Sequence, residues 1–193
     1  MSWLPDFKIG VWNAWILMLY VPLLSPIIRV VDKVFGTSEL YKKMGGNVPY
    51  KEGEKKAYLI YTGVLFVLLA YSIFLPLKLG TVWFYAGLSI YLVGLVMLLT
   101  AFVNTAMTSL GKPFTMGMYR YSRHPGYFSL FITFIGVSVA SASWIFLLLS
   151  IVSIVLQMSS VNAEERACLE IFGGVYQDYM KRIPRWIGIP KTR

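Results

Sequence analysis

The sequence predicts an all-α integral membrane protein, a bundle of five transmembrane helices with a C-terminal cytoplasmic helical tail. Three observations predict it. The 193 residues are 57% apolar and only 14% charged, against about 45–50% and about 25% in soluble globular chains, and the mean hydropathy is +0.63. Apolar runs of spanning length recur along the chain. The basic residues fall in alternate connections between them. A formal net charge of +9 in so apolar a chain fits loops that fix orientation and sit against anionic lipid, so membrane lipids are the expected partners and nucleic acid is not.

A hydrocarbon core takes about 20 residues of helix to cross. The first candidate runs from Ile9 to Val31, contains Pro22 and Pro26, and ends beside Arg29, Asp32 and Lys33. Asp6 precedes it and no basic leader segment is evident, so the run is expected to be retained in the mature chain. The second spans Ala57 to Leu77, closed by Pro76 and Lys78. The third, Thr81 to about Met107, carries no charge. The fourth run starts at Gly126 and meets no charged side chain until Glu164. At about 1.5 Å per residue it would reach nearly twice a core of about 30 Å. Ser138, Ser141 and Ser143 near its middle predict a tight hairpin, with helices at roughly 126–140 and 143–170.

Charge distribution sets the orientation. Arg29, Lys33, Lys42, Lys43, Lys51, Lys55 and Lys56 fill the first connection, and Lys78 alone marks the second. Lys112, Arg120 and Arg123 occupy the third, the hairpin tip has none, and Arg166, Lys181, Arg182, Arg185, Lys191 and Arg193 fill the tail. By the positive-inside rule the N-terminus lies outside, and the C-terminus lies in the cytoplasm with the third connection. One membrane domain, 1–193, is expected, divided into N-terminal spans and a basic loop (1–103) and a half that carries the chemistry (104–193).

That chemistry concentrates in two stretches. "MYRYSRHPGYF", residues 118–128, holds the only histidine. Proline is favoured at the first helical position, so His124 is expected to cap a helix that starts at Pro125. Its free N–H groups and positive dipole end, with Arg123 alongside, suit a carboxylate or phosphate. An interfacial basic and aromatic anchor is the plainer alternative. The second stretch, "NAEERACLEIFGGVYQDYMKRIPRW", places Glu164 and Glu165 where the last apolar helix leaves the membrane. Helical neighbours point about 100° apart, so one is expected to face the bundle and the other solvent or a lysine. Either the pair marks the helix exit or it serves a site. Gly173 and Gly174 are expected to end that helix. Tyr176 to Arg182 then reads as a short surface helix stopped by Pro184, its tyrosines equally consistent with a headgroup anchor. The loop "GKPFTMGMYR" is punctuated by glycine and proline. With one histidine and one cysteine, Cys168, no metal site is expected, and no P-loop, dinucleotide or serine-nucleophile motif occurs.

Taken in order, R-x-x-R-H-P-x-Y, an apolar hairpin, E-E-R, F-G-x-x-Y and a closing R-x-P-R resemble the isoprenylcysteine carboxyl methyltransferase family, which groups with membrane phospholipid methyltransferases. The resemblance covers about residues 104–190 and points to a short, prokaryotic-type member. Met118 stands where that family often has proline, and the chain has fewer spans than the eukaryotic members. The resemblance implies a carboxyl O-methyltransferase that uses S-adenosyl-L-methionine and releases S-adenosyl-L-homocysteine. Its acceptor would be a lipophilic carboxylate, such as a prenylated cysteine, entering from the bilayer. By motif position His124, Pro125, Gly126 and Tyr127 would line the cofactor, with Tyr119 and the loop Gly111, Lys112, Pro113 and Phe114 against the adenosine. Glu164 falls on the cofactor-binding acid and Asn104 on a polar contact. Arg123 and Glu165 would serve in positioning, and Tyr176, Tyr179 and Arg185 as neighbours. No residue is expected to act as a general acid or base, because a carboxylate acceptor is already ionised near neutral pH. Two rival readings are an NADPH-dependent sterol-type membrane reductase and a non-enzymatic lipid-binding scaffold.

Overall fold

The computed structural model describes residues 7–35, 48–109 and 112–191. The expectations at Asp6, Lys42, Lys43, Gly111 and Arg193 lie outside the described residues. Every named element is helical: α1 (Trp15–Met18), α2 (Tyr20–Phe35), α3 (Glu52–Ile73), α4 (Val82–Met107), a 3-10 turn (Gly117–Arg120), α5 (Pro125–Ala140), α6 (Trp144–Phe172) and α7 (Gly174–Arg182). Three of them, α3, α4 and α6, are long and apolar enough to cross a membrane, and Trp15–Val31 and α5 are shorter apolar helices.

Local chemistry explains where each helix begins. Glu54, in the first turn of α3, accepts the Lys51 backbone N–H at 2.7 Å, and two acids there complement the helix dipole. The hydroxyls of Thr81 and Ser143 cap α4 and α6, accepting from the N–H groups of Phe84 and Phe146. Pro125 opens α5 with His124 as its N-cap residue, as the His-Pro step predicts. The fourth apolar run is a hairpin whose turn holds Ser141 and Ser143, with Ala142 between them at φ +51°.

The bundle is held by close backbone approach. A Cβ placed on Gly87 would come within 2.1 Å of the Ala140 nitrogen, one on Gly94 within 2.7 Å of the Thr133 nitrogen, and one on Gly136 within 2.5 Å of the Tyr91 nitrogen. Apolar side chains gain little by burial against one another in lipid, so small residues that let α4 and α5 touch supply the packing. Tyr20 of α2 joins this pair through a buried 2.6 Å hydrogen bond to the Thr133 hydroxyl. The segment before α1 is tied to the end of α3: the Ala14 N–H donates to the Leu75 carbonyl at 2.8 Å, and the Leu77 N–H to that of Trp12 at 3.1 Å. Leu59, Ile60 and Phe66 of α3 are exposed, as a lipid-facing surface requires.

At about 1.5 Å per residue, the 29 residues of α6 extend about 43 Å, some 13 Å beyond a core of about 30 Å. Its last turns, with Glu164 and Glu165, therefore stand at or beyond the hydrocarbon boundary. The start of α3, the end of α4 and the start of α5 gather at the same end. Arg166 makes a bidentate pair with Glu54, both contacts at 2.8 Å, and ties the end of α6 to the start of α3.

The tail forms the short surface helix expected of it, with Val175, Gln177, Asp178, Lys181 and Arg182 exposed, but its tyrosines turn inward. Gly173 turns the chain at φ +53°, a conformation in which a side chain is strained, and α7 folds back against the end of α6. Its Tyr176 and Tyr179 are buried, packed with Ile183 against Cys168 and Phe172, so they are interior residues and no headgroup anchor. Beyond α7 the chain is stitched to the loop before α5. The Arg123 N–H donates to the Pro184 carbonyl and the Gly188 N–H to that of Tyr121, each at 3.0 Å. The Tyr179 hydroxyl donates to the Tyr119 carbonyl at 2.7 Å.

Candidate functional site

At the end of the bundle where α4, α5 and α6 meet the tail lies a cavity of about 430 Å³, within the range of small-molecule sites. Its inner limb is apolar, formed by Leu24 and Ile28 of α2, Leu98, Ala101 and Phe102 of α4, and Leu130 of α5. Its outer limb is polar and aromatic, formed by Lys112, Phe114, Tyr119, Arg123, His124, Tyr127 and Glu164. An amphipathic molecule with a charged head and an apolar extension matches that division.

The charged wall is built from two adjacent carboxylates and a histidine. Glu164 lines the cavity and accepts a short hydrogen bond from the Tyr127 hydroxyl, and its Oε2 lies 3.6 Å from His124 Nδ1. Glu165 sits behind the wall, buried, with Oε1 at 3.1 Å from His124 Nε2 and 3.2 Å from Arg123 Nη2, and Oε2 at 2.5 Å from Arg185 Nη2. The expectation that one glutamate would face solvent or a lysine is corrected. The returning tail brings Arg185 over α6 and covers the second acid, so both carboxylates work within the cluster. His124 lies between them. Burial pushes its pKa down, but hydrogen bonds and charge from Glu164 and Glu165 outweigh that and hold it above the ordinary 6.5.

Phe114 and Tyr119 place their ring centroids 5.4 Å apart, tilted by 36°, and form the aromatic side of the cavity. Burial pushes the Tyr119 phenol up to about 12 although Thr105, 3.0 Å away, bonds its hydroxyl. The ring therefore stays neutral at any physiological pH. A Cβ on Gly126 would meet nothing within 4 Å, so the backbone at the start of α5 borders open cavity. Arg123 Nε is buried and has no hydrogen-bond partner among the described residues.

Of the residues singled out by sequence, Lys112, Phe114, Tyr119, Arg123, His124, Gly126, Tyr127 and Glu164 share this one cavity. Pro125, Pro113 and Asn104 do not line it. Pro125 is buried inside the first turn of α5. Pro113 faces a neighbouring cavity. Asn104 packs against Gly117, where a Cβ would fall 2.2 Å from its amide nitrogen, and that nitrogen is buried with no hydrogen-bond partner among the described residues. Gly111 lies outside the described residues. Arg185 reaches the site only through Glu165, whereas Tyr176 and Tyr179 do line the cavity. Sequence reasoning missed Leu24, Ile28, Leu98, Phe102 and Leu130, because an apolar residue facing a cavity is the same letter as one facing lipid. Cys168 and Phe172 were also missed as lining residues.

The fold is that of a multi-pass membrane protein, with a cavity of mixed charged, aromatic and apolar lining at one end of its bundle. Residues 97–175 match the model of the phospholipid methyltransferase family. The match runs from the second half of α4 through the hairpin to the start of α7, and so contains Glu164, His124 and the aromatic pair. Methyltransferases of that family use S-adenosylmethionine. Comparison with curated proteins finds no match.

Proposed function

We propose that this protein is an S-adenosylmethionine-dependent methyltransferase acting on the carboxylate of a lipophilic acceptor, with a prenylated cysteine as the leading candidate. The single observation that carries the reading is the sharing of one cavity by Glu164, His124, Arg123 and the Phe114–Tyr119 pair, all within the matched segment. The residues fit the cofactor. Glu164 offers a carboxylate for its cationic or hydroxyl groups, Phe114 and Tyr119 an aromatic surface for the adenine, and Arg123, with a buried Nε lacking a partner, a donor for its carboxylate. Open space beside Gly126 leaves room for its close approach to the backbone.

When bound, S-adenosylmethionine supplies a methyl group already activated on a sulfonium. The protein then has to position and desolvate. The apolar limb would hold the acceptor's chain and exclude water, while the cationic wall would orient a carboxylate that is ionised without help from a base. His124 is held by two carboxylates in this scheme and transfers no proton. The tail helix and Tyr179 close the cavity on the side away from the bilayer.

We also propose five spans, with α2 and α5 crossing beside α3, α4 and α6, and with the cavity on the cytoplasmic side. Support comes from charge: Lys51, Lys55, Lys112, Arg120 and Arg182 lie at the cavity end, while Lys78 lies at the other. Calorimetry on detergent-purified protein tests the function. S-adenosylhomocysteine should bind, with binding lost in Glu164→Ala. Methyl transfer to a prenylated cysteine analogue should exceed transfer to phosphatidylethanolamine. Binding of NADPH without S-adenosylhomocysteine would overturn the reading, and transfer to phosphatidylethanolamine alone would replace the carboxylate acceptor with an amine.

A further inference from the structure

Beside the first cavity, on the far side of residues 112–116, lies a second of about 760 Å³. Its lining differs in kind. Lys112, Arg120 and Arg182 converge on it, and no Asp or Glu is among the residues that form it. The acid of α7, Asp178, pairs with Lys181 at 3.0 Å, and neither Lys112 nor Arg120 makes an ion pair among the described residues. Three cations around a cavity without a carboxylate repel one another until an anion joins them. The rim is also apolar: Met107, Met116 and Val175 are exposed there, at the end of α4, where the chain leaves the bilayer. A soluble anion would have no use for that rim. An anionic headgroup on an acyl chain uses both.

From this charge and position we infer that the second cavity is a binding site for an anionic phospholipid. The headgroup phosphate sits among Lys112, Arg120 and Arg182, and the acyl chains pass along Met107 at the end of α4 into the bilayer. The site stands apart from the methyltransferase reading and survives its failure. Lys112 and Tyr179 line both cavities, so the lipid also braces the wall they share.

Native mass spectrometry of the full chain in detergent tests the inference, with phosphatidylglycerol, phosphatidylcholine and inorganic phosphate titrated separately. Arg120 and Arg182 are exposed and lie outside the first cavity, so their substitution leaves that site intact. The native chain should retain phosphatidylglycerol at concentrations where phosphatidylcholine is lost. The double variant R120Q/R182Q should bind it about 30-fold more weakly, each surface cation contributing about a factor of five, while R120K/R182K should keep most of the affinity. Equal retention of the two lipids, or equal phosphatidylglycerol binding by the native chain and R120Q/R182Q, overturns the inference. Inorganic phosphate that binds alone and displaces phosphatidylglycerol overturns the lipid assignment in favour of a soluble anion.

Discussion

Glu165 is the point at which three separate elements are tied together. Its carboxylate, on α6, contacts Arg123 before α5, His124 at the cap of α5, and Arg185 in the tail, at 3.2, 3.1 and 2.5 Å. The Glu165 side chain is 5% exposed and that of Arg123 10%, but that of Arg185 is 35% exposed, so solvent screens the third pair and it counts for less. Glu165→Ala leaves Arg123 buried without its counter-ion and His124 with Glu164 alone. Removing one partner of a buried ion pair costs about 3–5 kcal/mol, most of it the uncompensated charge left behind. Glu165→Gln leaves the same charge uncompensated but keeps a hydrogen-bond acceptor, so it should cost less than Glu165→Ala by about 0.5–1.5 kcal/mol, the worth of a typical hydrogen bond. Cys168 is the chain's single cysteine and is half-buried near the base of α7, so a thiol-reactive fluorophore reports release of the tail. Melting followed by that dye should place Glu165→Ala lowest, Glu165→Gln between and the native chain highest. A double-mutant cycle with Arg185→Ala should show coupling of about 0.5–3 kcal/mol. If Glu165→Ala melts with the native chain, the carboxylate is no counter-ion hub and the assignment is wrong.

Stability should also depend on pH through His124. Its folded-state pKa lies above 6.5, so its contribution is present in full below about 6.5 and is lost as pH rises through the raised folded value. Melting temperature should fall over that window, and His124→Gln should flatten the profile. Gly87→Ala should destabilise by about 1–3 kcal/mol or more in denaturant titration, because its Cβ meets the α5 backbone at 2.1 Å. Gly126→Ala should melt at or above the native temperature, since alanine is the better helix former and its Cβ meets nothing within 4 Å; calorimetry should nonetheless show weaker S-adenosylhomocysteine binding. Gly173→Ala should release the tail, raising Cys168 labelling at low temperature, because φ +53° with ψ −129° is a backbone conformation that side chains other than glycine's rarely adopt, at a cost of about 1–3 kcal/mol.

How far the sequence could be read depended on polarity. The later helix positions were legible because lipid demands long uncharged runs, and Lys78 and Pro125 punctuate them. The first run, however, is helical only from Trp15, with a break at Leu19, and the second ends at Ile73, because the residues before α1 and after α3 hydrogen-bond to each other. The hairpin was legible from Ser141 and Ser143, since serines gathered within so long an apolar run have a structural use. Hydrophobicity carries no such information about which face of a helix points inward. In water an apolar residue signals a core, but here Leu59 faces out and Leu98 faces in, and nothing in either letter distinguishes them. The glycine contact between α4 and α5 and the apolar limb of the cavity were hidden for that reason. Glu165 was misjudged for another. Helical geometry correctly turns it away from Glu164, but what lies on its far side is set by the tail, which returns through Gly173, a turn whose direction depends on a backbone angle. Charged residues in a membrane protein must each find a partner, a water route or a ligand. The cluster of Glu165, Arg123, His124 and Arg185 has found its partners internally. Glu164 is answered, among the described residues, by a tyrosine hydroxyl and a more distant imidazole, which is why this acid is the one proposed to take the cofactor's cationic group.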